Sequence, residues 1–431
     1  MPELRRALNL FETSVYGIGI ILGAGIYVLI GEAASITGNS LWISFLFTAL
    51  IASFTGLSYA ELSSMFPKSA AEFIYVKNAF KSRYFPFVLG LLVIFTEVFA
   101  GATVALGFGG YLHSFLLGSM EIPVILIAIL LVFALSLLNF YGIRESARLN
   151  VVFTLIEAGG LIFIVYLGLG YVGSVNYLEM SGGFKGIFSA AALIFFAYLG
   201  FEEMVNIAEE TKNAEKNIPR AIIISLVITT LLYILVSISA VSIVPWQTLG
   251  ESKAPLADVA ETAMPGSSSI LTFIALFATL NTVLIILVVT SRMFYGIAKN
   301  TKIFRPLSLV HPKRRTPWVA VFVTMFLVMA LTLIGNVNFV ALAADLGAFL
   351  IFFTVNVSLI VLRYKKPEVE RPFKVPLNVG KFPIIPAMGT LTRLFMVLHF
   401  EWNVILITIL ILFLGFVTFY LFDKLSSRTS R

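Results

Sequence analysis

The residues best placed to do chemistry in this chain are glycines and carboxyls embedded in apolar surroundings. Gly17, Gly19, Gly23 and Gly25 fall inside one apolar run from Val15 to Ile36. Gly200, Glu202 and Glu203 fall inside another, which opens Phe195-Phe196-Ala197-Tyr198-Leu199. Glu97, Glu157 and Asp345 each lie well within further apolar runs. Closely spaced glycines disfavour a continuous helix. Backbone that leaves the helix inside a membrane must be covered by protein or line a cavity. The N–H groups freed at the start of the second half-helix would attract an anion such as a carboxylate. The same glycines would also suit close helix packing and nothing more. A carboxyl at such depth is costly unless paired, protonated or wet, and marks a functional site by default.

The elements that must carry these residues are membrane helices. Of 431 residues, 59% are hydrophobic and 12% charged, against about a quarter charged in soluble proteins. Apolar runs of about 20 residues recur, without the alternation of an outer-membrane barrel. The fold class is an all-α polytopic membrane protein. Twelve spans are expected, near 14–36, 40–66, 86–116, 122–140, 149–172, 187–207, 220–244, 268–297, 317–335, 338–362, 382–398 and 402–422. The eleventh is the weakest as a span, because it is short and contains Arg393. The chain reads as a single transmembrane domain over 1–431, and the segment before the first span is too short and polar for a separate signal peptide.

Lys and Arg set the orientation. All but three of the 30 lie in alternate loops or the termini, the exceptions being Lys185, Lys253 and Arg393. Both termini are therefore expected on the cytoplasmic side of a multi-pass cell-membrane protein. The net charge of +7 is topological, and no nucleic-acid partner is implied. There is no Cys, and His113, His311 and His399 are far apart, so no metal site or cofactor is expected. HExxH and Walker motifs are missing, which argues against an integral-membrane enzyme.

Spans one and six head two five-span blocks, about 14–172 and 187–362, that enter the membrane from opposite sides, followed by two extra helices near 382–422. Interrupted helices at matching places in inverted blocks point to a secondary transporter with its site at the block interface. Gly23-Ala24-Gly25-Ile26 resembles the first-helix motif of the amino acid–polyamine–organocation permeases. The run from Phe196 through Glu209-Glu210-Thr211-Lys212 to Pro219-Arg220 resembles that family's sixth helix and following loop. Ser58-Tyr59-Ala60-Glu61, Leu280-Asn281-Thr282, Ser291-Arg292 and Thr316-Pro317 match further elements, nearest the cationic amino acid transporter branch. Two loops depart from the pattern. Ala70-Ala71 stands where relatives carry paired glycines, and Lys299-Asn300-Thr301 where they carry Arg-Asp-Gly.

The resemblance implies a LeuT-like fold with broken helices one and six and an amino acid bound between them. The substrate carboxylate would take N–H groups of Gly23, Ala24, Gly25 and Ile26. Its ammonium would face carbonyls of Ile21, Phe196 and Leu199, left free by unwinding. Phe196 corresponds to an aromatic lid, or else is a lipid- or core-facing ring, and Glu202 is placed at the gate. Glu97 would attract a cationic side chain or pair with another helix. Glu157 lies ~13 Å deep at 1.5 Å per residue from Arg148, where some proton-coupled relatives carry a lysine. Thr279, Asn281 and Thr282 are its candidate partners. It could move the coupling proton, lock helix five as a protonated hydrogen-bonding group, or bind Na+. The first reading is a proton-coupled amino acid permease. Amino acid or polyamine exchange, sodium symport and, from another class, an enzyme or receptor stand as alternatives. Oligomeric state is not written in the sequence.

Overall fold

The computed structural model describes residues 3–23, 25–82, 84–116, 122–252, 254–301, 304–333 and 337–397, with scattered positions between 405 and 417. Ala24, Lys253, His399 and nearly all of the expected twelfth span lie outside the described residues, as does the side chain of Asp345.

In chain order the helices are α1 (Leu10–Leu22), α2 (Gly25–Thr37), α3 (Leu41–Met65), α4 (Ala71–Ala79), α5 (Tyr84–Leu116), α6 (Val124–Tyr141) and α7 (Ile143–Gly168). There follow α8 (Gly183–Ile194), α9 (Ala214–Ile243), α10 (Trp246–Glu251), α11 (Pro255–Ala263) and α12 (Ser268–Thr301). Last come α13 (Trp318–Thr332), α14 (Val337–Lys365) and α15 (Ile384–Val397). Among the described residues nine helical stretches are long and apolar enough to cross a membrane, and two shorter apolar helices lie at Trp318–Thr332 and Ile384–Phe395. The chain is a polytopic helical membrane protein.

Burial follows helical periodicity. On α7 Asn150, Thr154, Glu157, Leu161 and Ile164 point inward, while Leu155, Ile162 and Tyr166 are exposed. Exposed Phe133, Leu231, Leu235 and Phe326 repeat this on α6, α9 and α13. In water such surface would be a liability; against hydrocarbon it is the required exterior.

Both expected interruptions are present. The start of α1 is set by a reciprocal cap, in which Asn9 Oδ1 accepts the Glu12 N–H and the Glu12 carboxylate accepts the Asn9 N–H. The helix stops at Gly23, φ +20°. Between α8 and α9 the backbone tightens into a 3₁₀ turn at Phe195–Tyr198, extends at Leu199, reverses at Gly200 (φ 116°) and continues as a 3₁₀ helix from Phe201 to Glu210. Ten residues is long for this geometry, which marks hinges and strained sequence.

The connection 245–268 is not a bare loop. It forms α10 and α11, with Leu249, Leu256, Val259 and Ala260 buried, and the Leu249 carbonyl fits against Gly31 of α2. Between α3 and α5, helix α4 was not foreseen. Its N-terminus starts from Ala70 at φ 56°, ψ 52°, the left-handed region that glycine occupies without strain. Ala70 and Ser69 lie against Gly296 of α12, where an added Cβ would sit 2.6 Å from the Ala70 Cβ and 2.7 Å from the Ser69 carbonyl. Gly296→Ala is therefore expected to lower stability by about 1–3 kcal/mol through overpacking. Ala70→Gly in that background is expected to recover part of it, and thermal unfolding of the parent, the single and the double variant checks both.

Candidate functional site

The two interruptions meet. A Cβ on Gly25 would lie 2.8 Å from the Ala197 Cα, and one on Gly200 would lie 2.7 Å from Ile20. Gly25 thus lets α2 approach the unwound backbone between α8 and α9, and Ile20 of α1 sits against the reversal at Gly200. On the other side, a Cβ on Gly23 would be 3.1 Å from Thr282 Oγ1, so α12 faces the first break.

One side chain absent from the sequence expectations joins both breaks. The Tyr233 hydroxyl, on α9 and fully buried, lies 2.6 Å from the Ile21 carbonyl, 3.4 Å from that of Leu22 and 3.0 Å from that of Ala197. A phenol has one proton to donate, so three carbonyls compete for it. A buried tyrosine needs a partner, which was the available signal.

This alters the expected ammonium cage. The Ile21 carbonyl is engaged by Tyr233, and the Phe196 carbonyl accepts the Leu199 N–H at 3.2 Å. Neither is left free by unwinding, because the tight turn and α9 supply donors of their own. The Phe196 side chain is 47% exposed. The ring that packs into the interior is its neighbour Phe195, against Phe349 of α14 at 5.6 Å between centroids. Ile26 is buried and Leu199 half-buried.

Carboxyls gather below the second break. Glu202 accepts the Gly200 N–H at 2.9 Å and so fixes the reversal itself. Glu97 of α5 and Glu203 are both largely buried. Glu72 of α4 accepts from Asn206 Nδ2 at 3.3 Å, while Asn206 Oδ1 accepts the Ala71 N–H at 3.0 Å. The second break is thereby tied to α4.

Glu157 is fully buried, with Oε1 accepting from Asn281 Nδ2 at 2.9 Å and Oε2 without a hydrogen-bond partner among the described residues. Asn281 Oδ1 accepts in turn from Asn150 at 2.8 Å. Tyr27 of α2 donates to the Glu157 backbone carbonyl at 3.1 Å. Of the three expected partners only Asn281 reaches the carboxyl. Thr279 and Thr282 hydrogen-bond carbonyls of their own helix, at Leu276 and Ala278, the usual fate of a helical threonine hydroxyl.

Ion pairs gather around the segment after the second break and the ends of α3, α12 and α14. Arg292 of α12 grips Glu210 with two bonds, 2.8 and 3.0 Å, both side chains fully buried. Glu61 of α3 holds Arg363 and Arg371. The N-terminal strand is pinned to the segment after the second break by bonds from Ala7 and Leu8 N–H to the Glu210 carbonyl and from Lys212 N–H to the Leu8 carbonyl.

The Amino acid permease family profile matches residues 8–429. The chain belongs to the amino acid permease family. It is 32% identical to the branched-chain amino acid permease of Bacillus subtilis, over 100% of this chain and 95% of that protein. It is 29% identical to the methylthioribose transporter of the same organism, over 89% and 87%. To the vacuolar cationic amino acid transporter 4 of Arabidopsis thaliana it is 28% identical, over 85% of this chain and 64% of the longer plant protein. This permease is a membrane transporter and not an enzyme, and amino acid transport is its function.

Two measurements probe the site. Gly25→Ala is expected to force the breaks apart and weaken amino acid binding about tenfold, or about 1.4 kcal/mol, in equilibrium binding to the purified permease. The second concerns Glu72, whose carboxyl is pushed up to about 7 by burial. A raised folded-state value means that stability is fully present at acid pH and falls as pH rises through it. Glu72→Gln keeps an acceptor for Asn206 and has no charge to bury. Its melting temperature relative to the parent is expected to rise between about pH 5 and 8.

Proposed function

We propose that this permease carries an amino acid across the cytoplasmic membrane by alternating access, driven by an inward proton gradient through Glu157. The full architecture in this reading is twelve spans with both termini cytoplasmic. Two inverted five-helix blocks are broken at α1/α2 and after α8, as in the LeuT-like fold. The observation that carries it is the contact of the two interrupted segments, Gly25 on Ala197 and Ile20 on Gly200, inside a chain of the permease family. Helix interruptions at the interface of two repeats are where such transporters bind substrate and ion.

The substrate carboxylate would be held by N–H groups at Gly23, Ala24, Gly25 and Ile26, and the ammonium would face the Leu199 carbonyl. Phe196, half exposed beside this space, would cover the ligand. The substrate in this reading has an apolar side chain rather than a cationic one. The likeness to a branched-chain permease supports that choice. Release of the Arg292–Glu210 pair and of the N-terminal pin would open the cytoplasmic side.

At Glu157 the carboxyl has one oxygen on Asn281 and the other unpartnered. A proton that arrives and leaves there would bias α7 and α12 against α1. The unpartnered oxygen also favours a second reading, Na+ as the coupling ion, because a carboxylate suits a hard cation.

Uptake by proteoliposomes tests the reading across leucine, isoleucine, valine, lysine and arginine. Leucine-class accumulation is expected under an inward proton gradient without sodium. Glu157→Gln is expected to bind substrate but lose gradient-driven accumulation. Undiminished accumulation by the variant would remove Glu157 from coupling, and a strict sodium requirement in the parent would establish the second reading.

A further inference from the structure

Arg393 lies in the middle of an expected span, 382–398, that holds no other basic residue. It lies nine residues after Ile384, about 14 Å along α15 at 1.5 Å per residue. Its side chain is fully buried. An arginine at such depth is retained only where protein groups compensate its charge.

The compensation comes from the second break. The guanidinium carbon lies 3.9 Å from the Phe195 ring centroid, 5.4 Å from that of Phe352 and 5.5 Å from that of Phe349. Phe195 belongs to the 3₁₀ turn at the break, and Phe349 and Phe352 to α14. Stacking over an aromatic face with little water is the strong regime of the cation–π contact. The Glu202 carboxyl attracts the same cation electrostatically, and Glu202 caps the Gly200 N–H at the reversal. The base of this arm is seated independently. One turn before Arg393, Gly389 lets α15 close on Asn356 of α14, where a Cβ would stand 2.9 Å from the amide. Asn356 in turn accepts from Ser58 at 2.6 Å and donates to Thr55 at 3.0 Å, both on α3.

We propose that Arg393 is a positioning residue for transport, holding Phe195 and Glu202 so that the break keeps its reversal at Gly200. α15, which lies outside both five-helix blocks, thereby becomes part of the moving machinery rather than a peripheral helix. The proposal rests on the transport reading for its consequence but not for its contacts. When the break rearranges, Phe195 and Glu202 must move relative to α15 or carry α15 along.

The experiment uses the full chain reconstituted in liposomes, with leucine uptake as the readout. Arg393→Leu is expected to lower the maximal rate about tenfold while the half-saturating concentration changes less than about threefold, a split that separates positioning from substrate contact. Glu202→Gln added to it is expected to restore much of the rate, because a neutral amide needs no counter-charge and can still accept the Gly200 N–H. Arg393→Lys, charged but unable to stack as a plane, is expected to fall between parent and Leu variant. A full rate in Arg393→Leu, or a double variant no faster than the single, would overturn the proposal. Melting temperatures of the parent, both single variants and the double provide a readout that needs no transport. Non-additive shifts show that the two groups act together; additive shifts overturn the proposal. A parent that takes up no amino acid, with the shifts still non-additive, would overturn the transport reading and leave the coupling of Arg393 to the break intact.

Discussion

Backbone amides that leave a helix within a hydrocarbon slab must find partners in protein or in a bound ligand. The Tyr233 hydroxyl is where this permease meets that constraint for both breaks at once, with the carbonyls of Ile21, Leu22 and Ala197 around it. A single O–H among three acceptors holds the two segments at a fixed separation without satisfying every lone pair. The glycines set the distance of approach and the tyrosine sets the register. The remaining contacts at the second break, from Glu202 to the Gly200 N–H and from Asn206 to α4, depend on that approach.

The polar interior is divided by type. Buried ion pairs lie toward the ends of the helices, where Glu210 and Glu61 are each held by arginine. Breaking one partner from such a pair strands a charge, and the cost is large compared with an exposed pair. Between the membrane faces the groups are instead amides, hydroxyls and carboxyls in chains, as in Asn150–Asn281–Glu157. Along that chain each asparagine amide donates and the Glu157 carboxyl accepts at its end, so α7 and α12 are joined by hydrogen bonds rather than by an ion pair.

Much of the architecture was legible in the sequence, because membrane helices leave strong signals in hydropathy, in loop charge and in misplaced glycines. Gly23, Gly25 and Gly200 all turned out to stand at breaks. What stayed hidden were contacts between distant elements. Tyr233 lies in an ordinary apolar helix and has no periodic signature. Arg393 reads as a blemish in a weak span until the Phe195 ring is placed beside it. Asn281 was named with Thr279 and Thr282 because all three are polar and close in sequence. The threonines satisfy themselves on the preceding turn, and the amide reaches across to Glu157. The freed carbonyls expected at Ile21 and Phe196 failed for a similar reason, since unwinding releases a carbonyl but does not forbid a neighbour from taking it. The α4 start at Ala70 shows the reverse case: an alanine here adopts the left-handed backbone, φ 56°, that glycine would take without strain.

The 3₁₀ stretch Phe201–Glu210 has ten residues. At about 2.0 Å per residue it is about 20 Å long, whereas the same residues as an α-helix would measure about 15 Å. The difference is roughly one α-helical turn of axial slack, held between the Gly200 reversal and the Arg292–Glu210 pair. The segment is a strut about one turn longer than an α-helix of the same ten residues, and that extra length sets how far the Gly200 reversal stands from the Arg292–Glu210 pair.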